Sequence, residues 1–242
     1  MRFSTVGQKA KQMIHDELYS VVCRKPGLRV CLIMEGFFLV LIGIMFPTPA
    51  NAALRLPSIL SDGMVLQRDR ELTIWGWAAK GATVKIAIAD RRGEGTVGDD
   101  GRWSVKIGKL ASGGPHEMQI ETSNGEKVTI KDVLVGEVWL CSGQSNMELP
   151  LGGKVDNSEK EVAAVDYPRI RLFKVGRIAP PKPAKNILPN RQRLLGVWSS
   201  CAPDAVRNFS AVGYYFGREL HKELNVPIGL IDSSFGATWA EN

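Results

Sequence analysis

The pentad Ser142-Gly143-Gln144-Ser145-Asn146 follows the wholly apolar run Val138–Cys141 and precedes Met147-Glu148-Leu149-Pro150. A serine carried at the end of a buried strand is held by the sheet and open to what lies beyond it. Its hydroxyl attacks a carbonyl only once a base takes the proton. The flanking glycine lets the loop turn tightly, so that backbone N–H groups can face a developing oxyanion. A second polar knot, Ser233–Thr238, follows the run Ile228–Asp232 and carries Gly236 at its tip. Two or three such amides would stabilise a tetrahedral intermediate, each by about 3 kcal/mol. The chemistry on offer is acyl transfer through Ser145. The plainer reading is a turn former or helix cap, and Met147 stands where a G-x-S-x-G elbow needs its second glycine.

The base such a serine needs is not evident. The chain has three histidines. His15 lies near the start, His116 follows Gly113-Gly114-Pro115 in a turn, and His221 sits about 100° round a helix from Leu220, toward solvent. None has an acid at triad spacing. Glu148 reads as a helix-start acid, and Asp232, ending a strand, can orient a loop without a catalytic role. No Cys/His spacing suits zinc, and no metal or cofactor is expected. Trp75, Trp77 and Trp103 either stack a sugar or fill a core, the commoner fate of tryptophan in a small sandwich. Arg91-Arg92 reads as a solvated turn.

These residues need elements to hold them. From residue 54 to about 137 the chain reads as short strands over 71–77, 83–89, 102–107, 118–121 and 127–134, parted by turns at 80–81, 99–101, 113–115 and 124–125. That spacing indicates an antiparallel β-sandwich. Asn124-Gly125 is the clearest hairpin signal, since both residues tolerate positive φ. After Gly136 the pattern changes. Val138–Cys141 suits a strand covered on both faces. A short helix is expected over 158–165 and a strand over 169–175, followed by a proline-rich loop at 179–189. The best helix runs from Ser210 to Leu224, with Val212, Phe216, Leu220 and Leu224 recurring every fourth residue, Ser210 as cap, and Asn225 and Pro227 as stop. The strand 227–232 follows. Strand, helix, strand implies a parallel α/β sheet with its ligand site beyond the carboxyl ends of the strands.

The segment Gly136–Leu149, GEVWLCSGQSNMEL, resembles the nucleophile block of the sialate O-acetylesterase family, within the SGNH-type serine esterases. Leu60–Arg68, Trp75–Ala78, Asp100–Trp103 and Gly113–Pro115 resemble that family's N-terminal β-domain, and Val212–Thr238 resembles the helix and strand leading to its second block, usually G-G-T. The resemblance implies that Ser145 is the nucleophile and that the N–H groups of Ser145 and Gly236 form part of the oxyanion hole. Ala237 replaces the usual second glycine. It implies an O-acetylated sugar or glycan as substrate. The family's third block and its Asp-x-x-His pair would lie beyond Asn242, so the chain reads as the front part of an esterase, inactive alone.

The expected fold class is therefore multi-domain. A leader spans 1–52, an antiparallel β-sandwich 53–136, and the first part of an incomplete SGNH/flavodoxin-like α/β hydrolase domain 137–242. A non-catalytic carbohydrate-binding β-sandwich protein, or an inactive remnant, is the competing reading. Composition excludes little else. The chain has 242 residues, 44% hydrophobic and 23% charged, with a net charge of +6. Half of that excess lies in residues 1–52, so nucleic acid is not an expected partner. In that segment Arg24, Lys25 and Arg29 precede an apolar run over 31–46 and an Ala50-Asn51-Ala52 end. This pattern predicts cleavage after Ala52, export to a periplasmic or extracellular space, and no stable membrane association afterwards. Cys141 and Cys201 remain after cleavage, and a disulfide and two buried thiols are equally natural there.

Overall fold

The computed structural model describes residues 53–177, 182 and 184–237. The expected leader and cleavage site lie outside the described residues, as do Thr238 and the last four positions. Among the described residues ten strands and four α-helices follow in chain order, with a 3-10 turn at Arg191–Arg193. The strands are β1 (Val65–Gln67), β2 (Leu72–Trp77), β3 (Thr83–Ile88), β4 (Arg91–Thr96), β5 (Arg102–Gly108), β6 (Gly113–Thr122) and β7 (Lys127–Cys141). Helices α1 (Ser145–Glu148) and α2 (Ser158–Ala163) come next, then β8 (Tyr167–Lys174), β9 (Trp198–Cys201), α3 (Pro203–Val206), α4 (Ala211–Leu224) and β10 (Ile228–Asp232). No helix among the described residues is long and apolar enough to cross a membrane.

Eight strands form one mixed sheet in the order β4-β3-β6-β7-β10-β8-β9, with β1 also paired to β7, while β2 and β5 form a separate two-stranded sheet. The hinge of this arrangement is β7, at 15 residues. Its first half pairs antiparallel with β6 and its last five residues pair parallel with β10. The boundary expected at 136/137 thus lies inside a single strand. Gly136 sits at the crossing because Pro227 presses on it: a Cβ there would come 1.9 Å from the Pro227 carbonyl oxygen. Asn124-Gly125 turns β6 into β7 as its sequence predicts, with Gly125 at φ +87° and its N–H donating to Thr122 O at 3.0 Å.

Alternation on β2 and β5 buries Leu72, Ile74, Trp103, Val105 and Ile107, and these pack against Val84, Ile86, Ile88, Met118 and Ile120 of the larger sheet. A second cluster gathers Cys141, Ile170, Leu172, Tyr214, Ile228 and Leu230 around the parallel strands. Full burial of one such aliphatic side chain contributes about 1.5–3 kcal/mol, which is why alternation governs register. Arg91-Arg92 proves to begin β4, not a turn. This edge strand has no apolar alternation to betray it. Its glycines instead make room for β5, since a Cβ at Gly93 would meet Val105 Cγ1 at 2.6 Å.

Two faces differ from expectation. On α4 the buried residues are Ala211, Gly213, Tyr214 and Gly217, while Val212, Phe216 and Leu224 are exposed. The helix docks by its small residues: a Cβ on Gly217 would lie 2.5 Å from Leu230 Cδ1. Close approach of the backbones decided the face, and the fourfold apolar repeat did not. The end of β7, expected to be covered on both faces, leaves Trp139 44% and Leu140 65% exposed. Adjacent strand residues point to opposite faces, so neither face is closed there. Trp139 instead meets the exposed Phe216 edge to face at 5.1 Å.

Candidate active site at the carboxyl ends of β7, β10 and β8

Three parallel strands end together. Asp232, last of β10, lies opposite both Cys141 of β7 and Lys174 of β8. The ladder continues past the strands: Ser233 N–H donates to Cys141 O at 2.8 Å and Phe235 N–H to Gly143 O at 2.9 Å. The two polar loops of the sequence are therefore neighbours, joined backbone to backbone. Gly143 holds φ +146°, a conformation L side chains rarely adopt. That turn starts α1, whose first residue is Ser145. The serine is exposed to solvent. After α1 the chain pairs antiparallel with the entry to α4, where Ala211 N–H donates to Leu149 O at 2.9 Å and Leu151 N–H to Phe209 O at 3.0 Å. Ser210 caps α4 through Gly213 N–H at 3.0 Å, as its position predicts.

Asp232 is buried, and its Oδ1 accepts the Ser234 N–H at 3.0 Å and the Ser234 hydroxyl at 2.5 Å. Its Oδ2 lies 3.5 Å from Lys174 Nζ, which donates to Asn208 O at 2.5 Å. Asp232 orients the second loop from beneath. Gly236 is brought to the same end of the sheet as Ser145, but its N–H donates to Glu148 Oε2 at 2.8 Å. The other oxygen of Glu148 takes Arg177 Nε at 2.9 Å, and Arg177 lies 4.9 Å from the centroid of the Phe235 ring. Glu148 is the acid in the single turn of α1. Its role is to bridge the two loops. The sequence offered no sign of this, because its partners stand 29 and 88 positions away. Ala237 adopts φ +63°, the left-handed region in which a non-glycine residue costs about 1–2 kcal/mol.

A base does not come to Ser145 among the described residues. His116 lies on β6 opposite Val133. His221 is half-buried, not solvated: its Nδ1 lies 2.7 Å from Val226 O and its ring meets Tyr167 edge to face. Val226 leads into the amino end of β10, so His221 belongs to the opposite end of the sheet from Ser145. Cys141 and Cys201 are both free and buried. Burial, and then the nearby Asp232 charge, pushes the Cys141 thiol to about 11, and burial pushes Cys201 to about 12. Neither supplies thiolate near neutral pH. No group of three or more metal-ligating side chains forms among the described residues. The three tryptophans divide: Trp103 is core, whereas Trp75 and Trp77 face outward on β2.

No protein-family profile matches the chain. It is similar to mammalian sialate O-acetylesterases. The protein of Rattus norvegicus is 33% identical over 222 residues, 84% of this chain and 40% of the relative. That of Mus musculus is 32% identical over 210 residues, 79% of this chain and 38% of the relative. Among solved structures, a carbohydrate acetylesterase from Xanthomonas citri matches with a TM-score of 0.72 at 34% identity, covering 78% of this chain and 42% of its own. The chain spans about two-fifths of the length of these relatives.

Proposed function

The chain is a homologue of the sialate O-acetylesterases over about four-fifths of its length, and on that premise we propose that it carries the nucleophile half of a serine esterase that removes O-acetyl groups from sialic acid or a related acetylated sugar. The observation that carries the proposal is the placement of Ser145: exposed, at the carboxyl end of a parallel strand, beside the loop of Gly236.

In the proposed reaction Ser145 Oγ attacks the acetyl carbonyl while a base takes its proton. The oxyanion accepts from the Ser145 N–H, and from the Gly236 N–H once Glu148 gives that amide up. Collapse of the intermediate breaks the C–O bond to the sugar, whose oxygen leaves with the proton. Water then attacks the acetyl-enzyme, releasing acetate and restoring the hydroxyl. Residues 53–136 serve as the β-rich support and 137–242 belong to the hydrolase domain. The basic and apolar features of residues 1–52 support export of the protein.

The test assays the protein on O-acetylated sialic acid and on p-nitrophenyl acetate. Ser145→Ala lowers kcat by about a thousand-fold or more. Turnover that survives this substitution rules the reading out.

A further inference from the structure

The outer face of the two-stranded sheet carries a row of residues that the esterase reading leaves unused. Trp75 and Trp77 are two positions apart on β2 and so share a face. Trp75 is 43% exposed. In register, Trp75 lies opposite Ser104 and Trp77 opposite Arg102 of β5. On the other side of β2, Arg55 pairs antiparallel with Trp77 through both backbone bonds, at 2.8 and 2.9 Å. Directly opposed residues in antiparallel pairs point the same way, and the Arg55 guanidinium lies 6.0 Å from the centroid of the Trp77 ring. Trp77 thus has an arginine opposite it on each side, and the Arg55 guanidinium lies beside its ring. An open hollow of about 500 Å³ lies over this face, its lining including Trp75, Trp77, Arg102, Ser104 and Lys185.

The charge around the hollow is unbalanced. Arg102 has Asp100 at 3.7 Å, and Lys106 is paired with Glu71 at 3.2 Å. Arg55 and Lys185 pair with no carboxylate among the described residues. The exposed Trp75 and the half-buried Trp77 present two indoles on one face of the strand. The negative faces of aromatic rings attract the C–H face of a sugar ring as they attract cations. The flanking guanidinium groups suit a planar carboxylate, which they can bind through two parallel N–H···O bonds.

We infer that the outer face of β2 and β5 is a binding site for an acidic oligosaccharide, a pyranose chain carrying carboxylates, which stacks on Trp75 and Trp77 and pairs its acid groups with Arg55 and Arg102. The site shares no residue with the loops around Ser145 and does not rest on the esterase reading. It binds glycan whether or not Ser145 acts.

The experiment titrates the full chain with three probes: α2,8-linked trisialic acid, trigalacturonic acid and neutral cellotriose. Binding is measured calorimetrically, and the tryptophan indole N–H resonances are followed in a nitrogen-15 spectrum. At least one acidic probe should bind saturably and shift the Trp75 and Trp77 resonances, weaken as salt is raised, and bind more tightly than cellotriose. Trp77→Ala should weaken binding about tenfold or more, the effect of removing an aromatic anchor. Arg55→Gln with Arg102→Gln should remove the preference for the acidic probes. Trp139→Ala, on the far end of β7, should leave binding unchanged. Because Trp77→Ala also removes a side chain from the sheet, the wild-type resonance map is the independent readout. Absence of saturable binding to both acidic probes, equal binding of cellotriose, or shifts that avoid Trp75 and Trp77 overturns the inference.

Discussion

Gly236 donates its backbone N–H to the Glu148 carboxylate at 2.8 Å, joining two loops that stand 88 positions apart in the chain. The amide that an oxyanion hole would use is therefore held by the protein's own anion, which Arg177 in turn fixes. This bond sets the relative position of the two loops and gates any donor role of Gly236. Replacing Glu148 by Ala should speed exchange of the Gly236 amide by at least about tenfold and lower stability by about 1–2 kcal/mol, the range for a hydrogen bond to a charged group with partial exposure. Glu148→Gln retains an acceptor oxygen and should lose less. Hydrogen exchange and thermal melts check both. Unchanged protection of Gly236 in Glu148→Ala would remove the gating role.

Ala237 and Gly143 sit on either loop in conformations that favour glycine, at φ +63° and +146°. Ala237→Gly relieves about 1–2 kcal/mol of left-handed strain against about 0.4–1 kcal/mol of added unfolded-state entropy. A small gain in stability, or none, is expected. Gly143→Ala should cost about 1–3 kcal/mol, and its new Cβ would also press on Met147 Cβ at 3.2 Å. Urea denaturation should show a clear loss for Gly143→Ala and none for Ala237→Gly.

Gly217 is the contact by which α4 reaches the sheet. Alanine is the better helix former by about 1 kcal/mol, so an exposed site would gain from Gly217→Ala. Here the added methyl would meet Leu230 Cδ1 at 2.5 Å, and Leu230 is wholly buried. Overpacking of that kind costs about 1–3 kcal/mol. A net loss in the melting temperature is the expected result, and a net gain would show that the helix shifts freely over β10.

The two buried thiols make stability fall in alkali. Their folded values, about 11 for Cys141 and about 12 for Cys201, lie above the ordinary 9.0. Both forms of the protein keep the thiols protonated below pH 9, and the stabilising difference is whole there. As pH rises above 9 the unfolded chain ionises first and binds fewer protons, so unfolding becomes easier until the folded thiols also ionise. Denaturation midpoints should decline between about pH 9 and 12, less so in Cys141→Ala and Cys201→Ala pairs compared with their own neutral values. Below pH 9 neither thiol should react with Ellman's reagent until the chain unfolds.

Much of this was readable in the chain. Alternation placed β2, β3 and β5 to within a residue, because a half-buried strand must repeat every two positions. Asn124-Gly125 fixed the β6–β7 hairpin because only residues tolerant of positive φ make that turn. Ser210 and Asn225 marked the ends of α4 by the backbone groups they satisfy. The position of Ser145 at a strand end was likewise legible, since an apolar run gives way there to small polar residues.

Other features needed the fold. The face of α4 was decided by Gly213 and Gly217, whose value is the space they leave, and an absent side chain has no hydrophobic signal. Strand β4 was hidden for the same reason, its glycines serving β5. The Glu148–Gly236 bond, the Asp132–Arg171 ion pair with contacts at 2.5 and 3.0 Å, and the opposition of Arg55, Trp77 and Arg102 each join residues far apart in the chain. Local sequence dictates periodicity, turns and caps, because these act over a few bonds. Which distant groups meet, and which apolar faces close, is decided only when strands take their register and helices their distance, since both depend on surfaces that no short window contains.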